Sequence, residues 1–181
     1  LAFYNKLGFK AKRLSHVLYK VLGDVPPERM GQGPERQFRA DEPMDRYRKL
    51  WSEIQPGLDY SKEFDSNISD NLGEIWVEES NSRPAHALVH THDMFEDSQN
   101  AVLKLLVADD IRTADILLGR CELSARAAGK TGMFIRSYDA SPPELGWFFS
   151  HGYTLQGASV RLLHSGEDEA GNLIHISCWS G

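Results

Sequence analysis

The stretch AVLKLLVADDIRTADILLGRCELSARAAG, residues 101–129, decides the fold class. Its beginning, 101–107, is almost uniformly apolar, as expected for a central strand that is covered on both faces. Apolar residues then recur at helical spacing until Gly129, where a left-handed cap commonly ends a helix. That apolar stripe consists of Ala114, Leu117, Leu118, Cys121, Ala125 and Ala128. The sequence therefore predicts a buried strand that leads directly into a long helix.

Upstream of this unit, the patterns predict two more strands and a helix. Residues 74–79 alternate between apolar and polar side chains, and the break at 81–84 predicts a hairpin connection to a strand at 86–92. These two strands and 101–107 would form a meander. A helix that ends before Pro56 is predicted from apolar residues at steps of three and four, which are Met44, Tyr47, Trp51 and Ile54. Whether a short helix lies near 61–68 is left open.

Downstream, a strand is predicted at 131–136, followed by a helix that opens at Pro142 and ends before Gly152. Two closing strands, at 158–164 and 173–178, are predicted to form a final hairpin through the polar turn between them. With a strand near the amino terminus, the element order is β-α-(α)-β-β-β-α-β-α-β-β. We expect an α/β fold in which helices flank a mixed, mostly antiparallel sheet.

An internal similarity suggests how the chain is divided. An offset of 144 positions brings LAFYNKLGF at 1–9 onto LGWFFSHGY at 145–153. Chance similarity is the alternative, but a true repeat makes residues 1–23 the tail end of an upstream copy. Residues 24–36, interrupted by Pro and Gly, would be a linker, and 37–181 a complete domain. The chain also lacks an initiator Met, so we expect a fragment or a processed form.

The apolar surface of the amino-terminal tail requires a cover. We expect a helix turn at 1–7 and a strand near 11–20, because a strand without a sheet has unpaired backbone groups along both edges. That strand is predicted to pair within the chain or across a homodimer.

The element order and the two similar stretches resemble the GNAT superfamily of acyl-CoA N-acyltransferases. Members commonly carry an Ala-x-x-Leu/Phe-Tyr-x-x-x-Gly-Phe stretch at the last helix turn. Residues 2–9 match this stretch closely and residues 146–153 match it loosely. The resemblance implies a GNAT-like fold and acetyl-CoA as cosubstrate. It also implies an amine acceptor, which would be a small molecule or a peptide.

In the family, the Tyr of this stretch often protonates the departing CoA thiolate as general acid. Tyr4 occupies the matching position in the upstream tail and is therefore the candidate catalytic residue. The alternative for Tyr4 is a core position in an amphipathic helix. In the complete copy the matching residue is Phe148, which has no proton to donate.

The family also has a loop, Arg/Gln-x-x-Gly-x-Gly/Ala, whose backbone N–H groups bind the CoA pyrophosphate at a helix N-terminus. The corresponding residues here are Arg112, Thr113 and Ala114, our candidate cofactor-binding residues. Arg112 lies where the first Gly is expected, and 107–118 contains no glycine. Nearby carboxylates at Asp109, Asp110 and Asp115 would compete for the same N–H groups. We expect residues 37–181 to bind acetyl-CoA weakly or not at all.

Histidine and glutamate side chains supply two further candidates. His86, His90 and His92 have the same parity on one predicted strand and could hold a zinc or iron ion, although 86 and 90 are too far apart for one metal without a bend. Surface or cleft-lining histidines are the alternative, and we expect no metal. Carboxylates on the strand at 74–79 could deprotonate an amine or could simply face solvent. These carboxylates are Glu74, Glu78 and Glu79.

Composition excludes some partners. The net charge of −6 argues against a broad phosphate-binding surface, so we expect no nucleic acid. The longest apolar stretch, 101–108, contains Lys104 and is shorter than the roughly 20 residues of a membrane helix, so we expect no membrane partner. Cys121 and Cys178 are too few for a disulfide framework, which together with the absence of a secretory signal predicts a cytoplasmic protein.

Three hypotheses follow. The first is a tandem GNAT N-acetyltransferase in which an upstream copy catalyses and 37–181, a degenerate copy, supports it. The second is a non-catalytic module that kept the fold for binding or dimerisation. The third is a metal-dependent enzyme that uses the histidine strand. In the first two, the partner is the upstream repeat or a second copy of the chain.

Overall fold

The computed structural model describes residues 9–23, 36–54, 57, 59–80, 83–92, 99–138, 140–164 and 173–176. The strands of this part of the chain are β1 (Phe9–Val21), β2 (Arg36–Gln37), β3 (Gly73–Ser80), β4 (Arg83–His90), β5 (Asn100–Ala108), β6 (Gly132–Tyr138), β7 (Thr154–His164) and β8 (Leu173–Ile176). The helices are α1 (Asp45–Ile54), α2 (Ser61–Ser69), α3 (Ile111–Ala127) and α4 (Pro142–Ser150).

The strands form one mixed sheet in the order β2-β3-β4-β5-β6-β1-β7, and β8 pairs with β5 outside this order. The pairs of β5 with β6 and with β8 are parallel, whereas the other pairs are antiparallel. Helix α3 makes the crossover between the parallel strands β5 and β6. The predicted fold class is therefore confirmed, including the meander β3-β4-β5.

The predicted closing hairpin is wrong. Strand β7 pairs with β1, and β8 pairs with β5 over Leu105–Ala108. The pairing of β5 with β6 ends at Leu103, and β8 supplies the partner for the β5 backbone groups beyond that point. Strand β7 also begins at Thr154, earlier than the pattern indicated.

Helices cover both faces of the sheet. On β4, Ala85, Ala87 and Val89 belong to a core with side chains of α3 and α4, whereas Leu88 belongs to a core with α1 and α2. Alternation along the strand produces this division, and β4 is continuously buried after its first residue because both sides are covered. We refer to the two sides as the α3/α4 face and the α1/α2 face.

The helices follow their sequence signals. Helix α1 buries Tyr47, Leu50 and Trp51, and the segment left open is the helix α2, which buries Phe64. Gly129 follows α3 with φ of +76°, the left-handed conformation predicted at that helix end. Among the described helices, none is both long enough and apolar enough to cross a membrane.

The amino-terminal strand β1 lies inside the sheet, between β6 and β7. Leu18 pairs with Ile135 on one side and with Leu155 on the other. Leu18 and Leu22 are buried in the core of the α3/α4 face. This confirms the prediction that 11–20 pairs as a strand within the chain. The predicted helix turn at 1–7 lies outside the described residues, as does the predicted linker apart from Arg36.

Candidate functional site

The sheet opens where β5 and β6 separate. The two strands pair from Asn100 to Leu103 on β5, and beyond that point the edge of β5 pairs with β8 instead. Lys104 lies where β5 changes its partner from β6 to β8. It pairs with no residue of β4, because Leu103 pairs with Val89 and Leu105 with Leu88. Ligands of open α/β sheets bind where neighbouring parallel strands diverge, beyond their carboxyl ends. We call the carboxyl ends of β5 and β6, with the first turns of α3 and α4, the divergence site.

The first turn of α3 is capped by its own chain. The backbone N–H of Thr113 donates to Asp110 Oδ1 at 2.9 Å, and the Thr113 hydroxyl donates to Oδ2 at 2.9 Å. The Thr113 N–H bond is the main cause that lowers the pKa of Asp110, which keeps this carboxylate charged. The helix N-terminus thus already binds an anionic group, and it belongs to Asp110.

The candidate cofactor-binding residues have different surroundings on this turn. Arg112 is exposed, but Thr113 and Ala114 are buried. The N–H of Ala114 donates to the Asp110 carbonyl at 3.0 Å as part of the helix. An incoming pyrophosphate would have to displace the Asp110 carboxylate before it could reach the Thr113 N–H.

The position that matches the family's tyrosine lies in the core. Phe148 on α4 is fully buried, with ring centroids 4.8 Å from Trp147 and 5.6 Å from Tyr153. The candidate Tyr4 lies outside the described residues. Within the described part, this position of α4 therefore offers packing and no proton donor.

A polar bridge between α3 and α4 was missed by the sequence reasoning. The indole Nε1 of Trp147 donates to Asp115 Oδ1 at 2.8 Å, and His151 Nε2 lies 3.1 Å from the same oxygen. Asp115, expected to compete for a pyrophosphate, instead holds the two helices together. Nothing in the local pattern pairs these residues, because they meet only when α3 and α4 pack on one face.

The three strand carboxylates have different partners. Glu74 accepts a hydrogen bond from Ser124 on α3, and Glu79 accepts one from Arg46 on α1. Glu78 is only 7% exposed, and its Oε2 has no hydrogen-bond partner among the described residues. Of the three, Glu78 is the carboxylate with an unused acceptor, on the α3/α4 face by alternation with Trp76.

His86 serves the core of the α1/α2 face. Its Nε2 accepts a hydrogen bond from Trp51 Nε1 at 2.9 Å, and its Nδ1 lies 2.6 Å from the Pro84 carbonyl, to which it donates. Burial lowers the pKa of His86 to about 4, so the ring is neutral. With both nitrogens engaged, His86 is unavailable as a metal ligand.

The other two histidines of this strand do not complete a metal site. Burial lowers the pKa of His90 to about 4, while His92 is exposed beside the Thr91 hydroxyl. Within the residues that the structure describes, no three His, Cys, Asp or Glu side chains are grouped to hold a metal ion. The arrangement gives no support to the histidine strand as a metal centre.

Comparison with solved structures identifies the fold. A protein from Novosphingobium aromaticivorans DSM 12444 assigned to the GNAT family of acetyltransferases aligns with 83% of this chain at 15% identity and a TM-score of 0.54. A GCN5-related N-acetyltransferase from Sphaerobacter thermophilus aligns with 92% at 13% identity and a TM-score of 0.53. A conserved protein of unknown function from Staphylococcus epidermidis ATCC 12228 aligns with 86% at 12% identity and a TM-score of 0.50.

These similarities concern the fold alone. The chain spans 64%, 57% and 62% of the lengths of those three proteins, respectively. No protein-family model matches the sequence, and no curated protein matches it. The chain therefore has a GNAT-like fold: a mixed sheet flanked by helices, with α3 and α4 above the divergence of β5 and β6.

Proposed function

We propose that this chain is part of a GNAT-type N-acetyltransferase, which transfers an acetyl group from acetyl-CoA to an amine. In this proposal, the complete copy at 37–181 supports the reaction and does not hold acetyl-CoA itself. An upstream copy, whose tail is residues 1–23, catalyses. The GNAT-like fold and the two GNAT acetyltransferases among the structural neighbours support the reaction class.

The observation that carries the proposal is the first turn of α3. A pyrophosphate needs free backbone N–H groups and a backbone that it can approach closely. Here the Thr113 N–H is bonded to the Asp110 carboxylate at 2.9 Å. The same carboxylate would repel a pyrophosphate. The first turn of α3 therefore fits a copy in which Asp110 stabilises the start of the helix and no pyrophosphate binds.

The position of the candidate general acid also supports catalysis by the upstream copy. As the amine nitrogen bonds to the acyl carbon and loses a proton to solvent, the C–S bond of the thioester breaks, and a phenol at the family's tyrosine position can protonate the departing thiolate. Tyr4 in the upstream tail keeps that phenol, whereas Phe148 in the complete copy is buried and lacks it. We therefore assign proton donation to Tyr4.

The proposed tandem arrangement is compatible with the position of β1. The strand that follows Tyr4 by a few residues lies between β6 and β7 of the complete copy, so the two copies would share one sheet. The upstream repeat is the partner that this arrangement supplies, and a second copy of the chain is the alternative. The acceptor would be a small amine or a peptide.

Titration calorimetry tests the role of the complete copy. We expect no binding of acetyl-CoA to this chain at concentrations up to about 100 µM, equivalent to a binding free energy weaker than about −5.5 kcal/mol. Micromolar affinity would contradict the proposal and make this copy a candidate enzyme itself.

Substitution in the longer protein tests the role of Tyr4. Tyr4→Phe should abolish most of the acyl transfer to an amine panel, because the thiolate then leaves unprotonated. The control is Tyr19→Phe, which removes a hydroxyl from β1 but retains the ring packed against Phe134. Equal activity of the two variants would remove Tyr4 from the mechanism.

The second candidate function is a non-catalytic binding or dimerisation module. The capped turn at Asp110 and the buried Phe148 favour it if no catalytic copy lies upstream. Absence of acyl transfer by the longer protein across the amine panel would support this module and overturn the first proposal.

A further inference from the structure

A buried serine and a buried glutamate meet at the divergence site. Ser137, near the carboxyl end of β6, donates a hydrogen bond to Glu144 Oε1 in the first turn of α4. Ser137 is 1% exposed and Glu144 is 7% exposed. The N–H of Glu144 is bonded separately to the Ser141 hydroxyl that caps α4, so the carboxyl group is not needed to cap the helix.

A histidine of β1 lies next to this pair. His16 is the direct antiparallel partner of Ser137, and the Cβ atoms of such partners are about 5 Å apart. Alternation places His16 on the same face as Leu18, which is the α3/α4 face. His16 Nδ1 is buried and has no hydrogen-bond partner among the described residues. With the ring proton on Nε2, Nδ1 is a buried acceptor that lacks a donor, and buried polar atoms require a partner.

Among the described residues, no Lys or Arg lies in an ion pair with the Glu144 carboxyl group. Burial raises the pKa of Glu144, because the charged form has lost water. The three side chains thus combine an unused nitrogen acceptor, a hydroxyl and a carboxylate that a positive donor would stabilise.

We propose that His16, Ser137 and Glu144 form a binding site for the protonated amino group of a primary amine. The ammonium would donate one N–H to His16 Nδ1 and another to the Ser137 hydroxyl oxygen, with Glu144 behind them supplying the negative charge. A single ammonium group would thereby supply a hydrogen-bond donor to His16 Nδ1 and a positive charge to the buried Glu144 carboxylate.

The site indicates the class of substrate, which is a primary amine. It rests on the proposed function in assigning the amine, after the ammonium has lost a proton, as the acyl acceptor, but the binding itself requires no acyl-CoA. His16 comes from the tail assigned to the upstream copy, whereas Ser137 and Glu144 come from the complete copy. The amine would therefore be held at the junction of the two, which is how a copy without acetyl-CoA can still shape the acceptor site.

The test follows the imidazole carbon-proton NMR signals of the histidines during titration with methylammonium chloride at constant ionic strength. His16→Gln identifies the His16 signal. We expect that signal to shift saturably, and tetramethylammonium, which has no N–H donor, to bind about tenfold more weakly or not at all. A linear shift, or the same response to both cations, would overturn the proposal.

Variants test whether methylammonium binds at this site or only responds to the overall charge of the protein. Glu144→Gln keeps the shape of the side chain and should weaken methylammonium binding by about fivefold or more, as expected for removal of a charged partner. The matched control is Glu53→Gln, which makes the same substitution on α1, at a side chain 41% exposed, and should leave the His16 response unchanged. Unaltered binding in Glu144→Gln would also overturn the proposal.

These outcomes are independent of catalysis. Methylammonium binding without acyl transfer by the longer protein would retain the amine site and reject the proposed acetyltransferase. Acyl transfer by the longer protein without methylammonium binding at His16 would retain the proposed acetyltransferase and reject the amine site.

Discussion

Lys20 Nζ on β1 lies 2.8 and 2.9 Å from the two carboxylate oxygens of Glu122 on α3, a residue 102 positions away in sequence. Tyr153 also donates to Glu122, at 3.0 Å, and Arg126 Nη2 lies 3.5 Å from it. The side chain of Glu122 is 9% exposed and that of Lys20 21%. This cluster attaches β1 to helix α3.

Removing the cation of this cluster should loosen β1. Lys20→Met leaves Glu122 buried with a weaker set of partners, so we expect the free energy of unfolding in urea to fall by about 3 kcal/mol. The control is Arg39→Met, which breaks an ion pair to Asp41 whose side chains are 72% and 71% exposed. That variant should change stability by less than about 0.5 kcal/mol, and an equal loss in both would contradict the prediction.

Two glycines should respond in opposite directions to alanine. A Cβ on Gly73 would lie 2.0 Å from the Val89 carbonyl oxygen, a backbone atom of the neighbouring strand, so Gly73→Ala must distort the β3–β4 pair. We expect a loss of about 3 kcal/mol or more. A Cβ on Gly119, within α3, would meet nothing within 4 Å, and Gly119→Ala should stabilise by up to about 1 kcal/mol. Thermal unfolding of both variants provides the comparison.

His86 should make stability depend on pH. Its pKa is about 4 in the folded chain against the ordinary 6.5 of an unfolded histidine, so the unfolded chain binds more protons between these pH values. The contribution of His86 to the free energy of unfolding is therefore fully present above pH 6.5. It declines as the pH falls towards 4, by on the order of 3 kcal/mol.

The variant His86→Gln measures this contribution. It should be less stable at pH 7, because Trp51 loses its acceptor, but should lose less stability than the wild type between pH 7 and pH 4.5. Urea unfolding at both pH values gives the difference. Parallel losses in the two proteins would show that His86 does not carry this pH dependence.

The cap of α3 should be worth more than the cap of α4. Asp110→Ala removes bonds of 2.9 Å to Thr113 and should cost about 1 kcal/mol in unfolding free energy. Ser141→Ala removes a cap bond of 3.4 Å and should cost less. Asp110→Asn should retain most of the stability, since an amide oxygen can still accept from the Thr113 N–H. The reverse order of Asp110→Ala and Ser141→Ala would contradict the assignment.

Local patterns were sufficient for most elements of the fold. The apolar run at 101–107 and the stripe from Ala114 onward predict β5 and α3, and Pro142 with Gly152 predicts α4, because hydrophobic period, proline and glycine act within a few residues. The absence of glycine in 107–118 and the aspartates at the start of α3 also belong to the sequence. Which of the aspartates caps the helix was shown only by the structure, in which Asp110 accepts from the Thr113 N–H.

Tertiary structure decided which elements meet. A strand pattern specifies which side chains are buried but not which edge will pair with it, so the place of β1 between β6 and β7, and of β8 beside β5, depends on which partners the folded sheet leaves open. The same holds for His16 opposite Ser137 and for Asp115 beneath Trp147. Each of these pairs joins residues distant in sequence, and only the packing of strand against strand and helix against helix brings their polar atoms together.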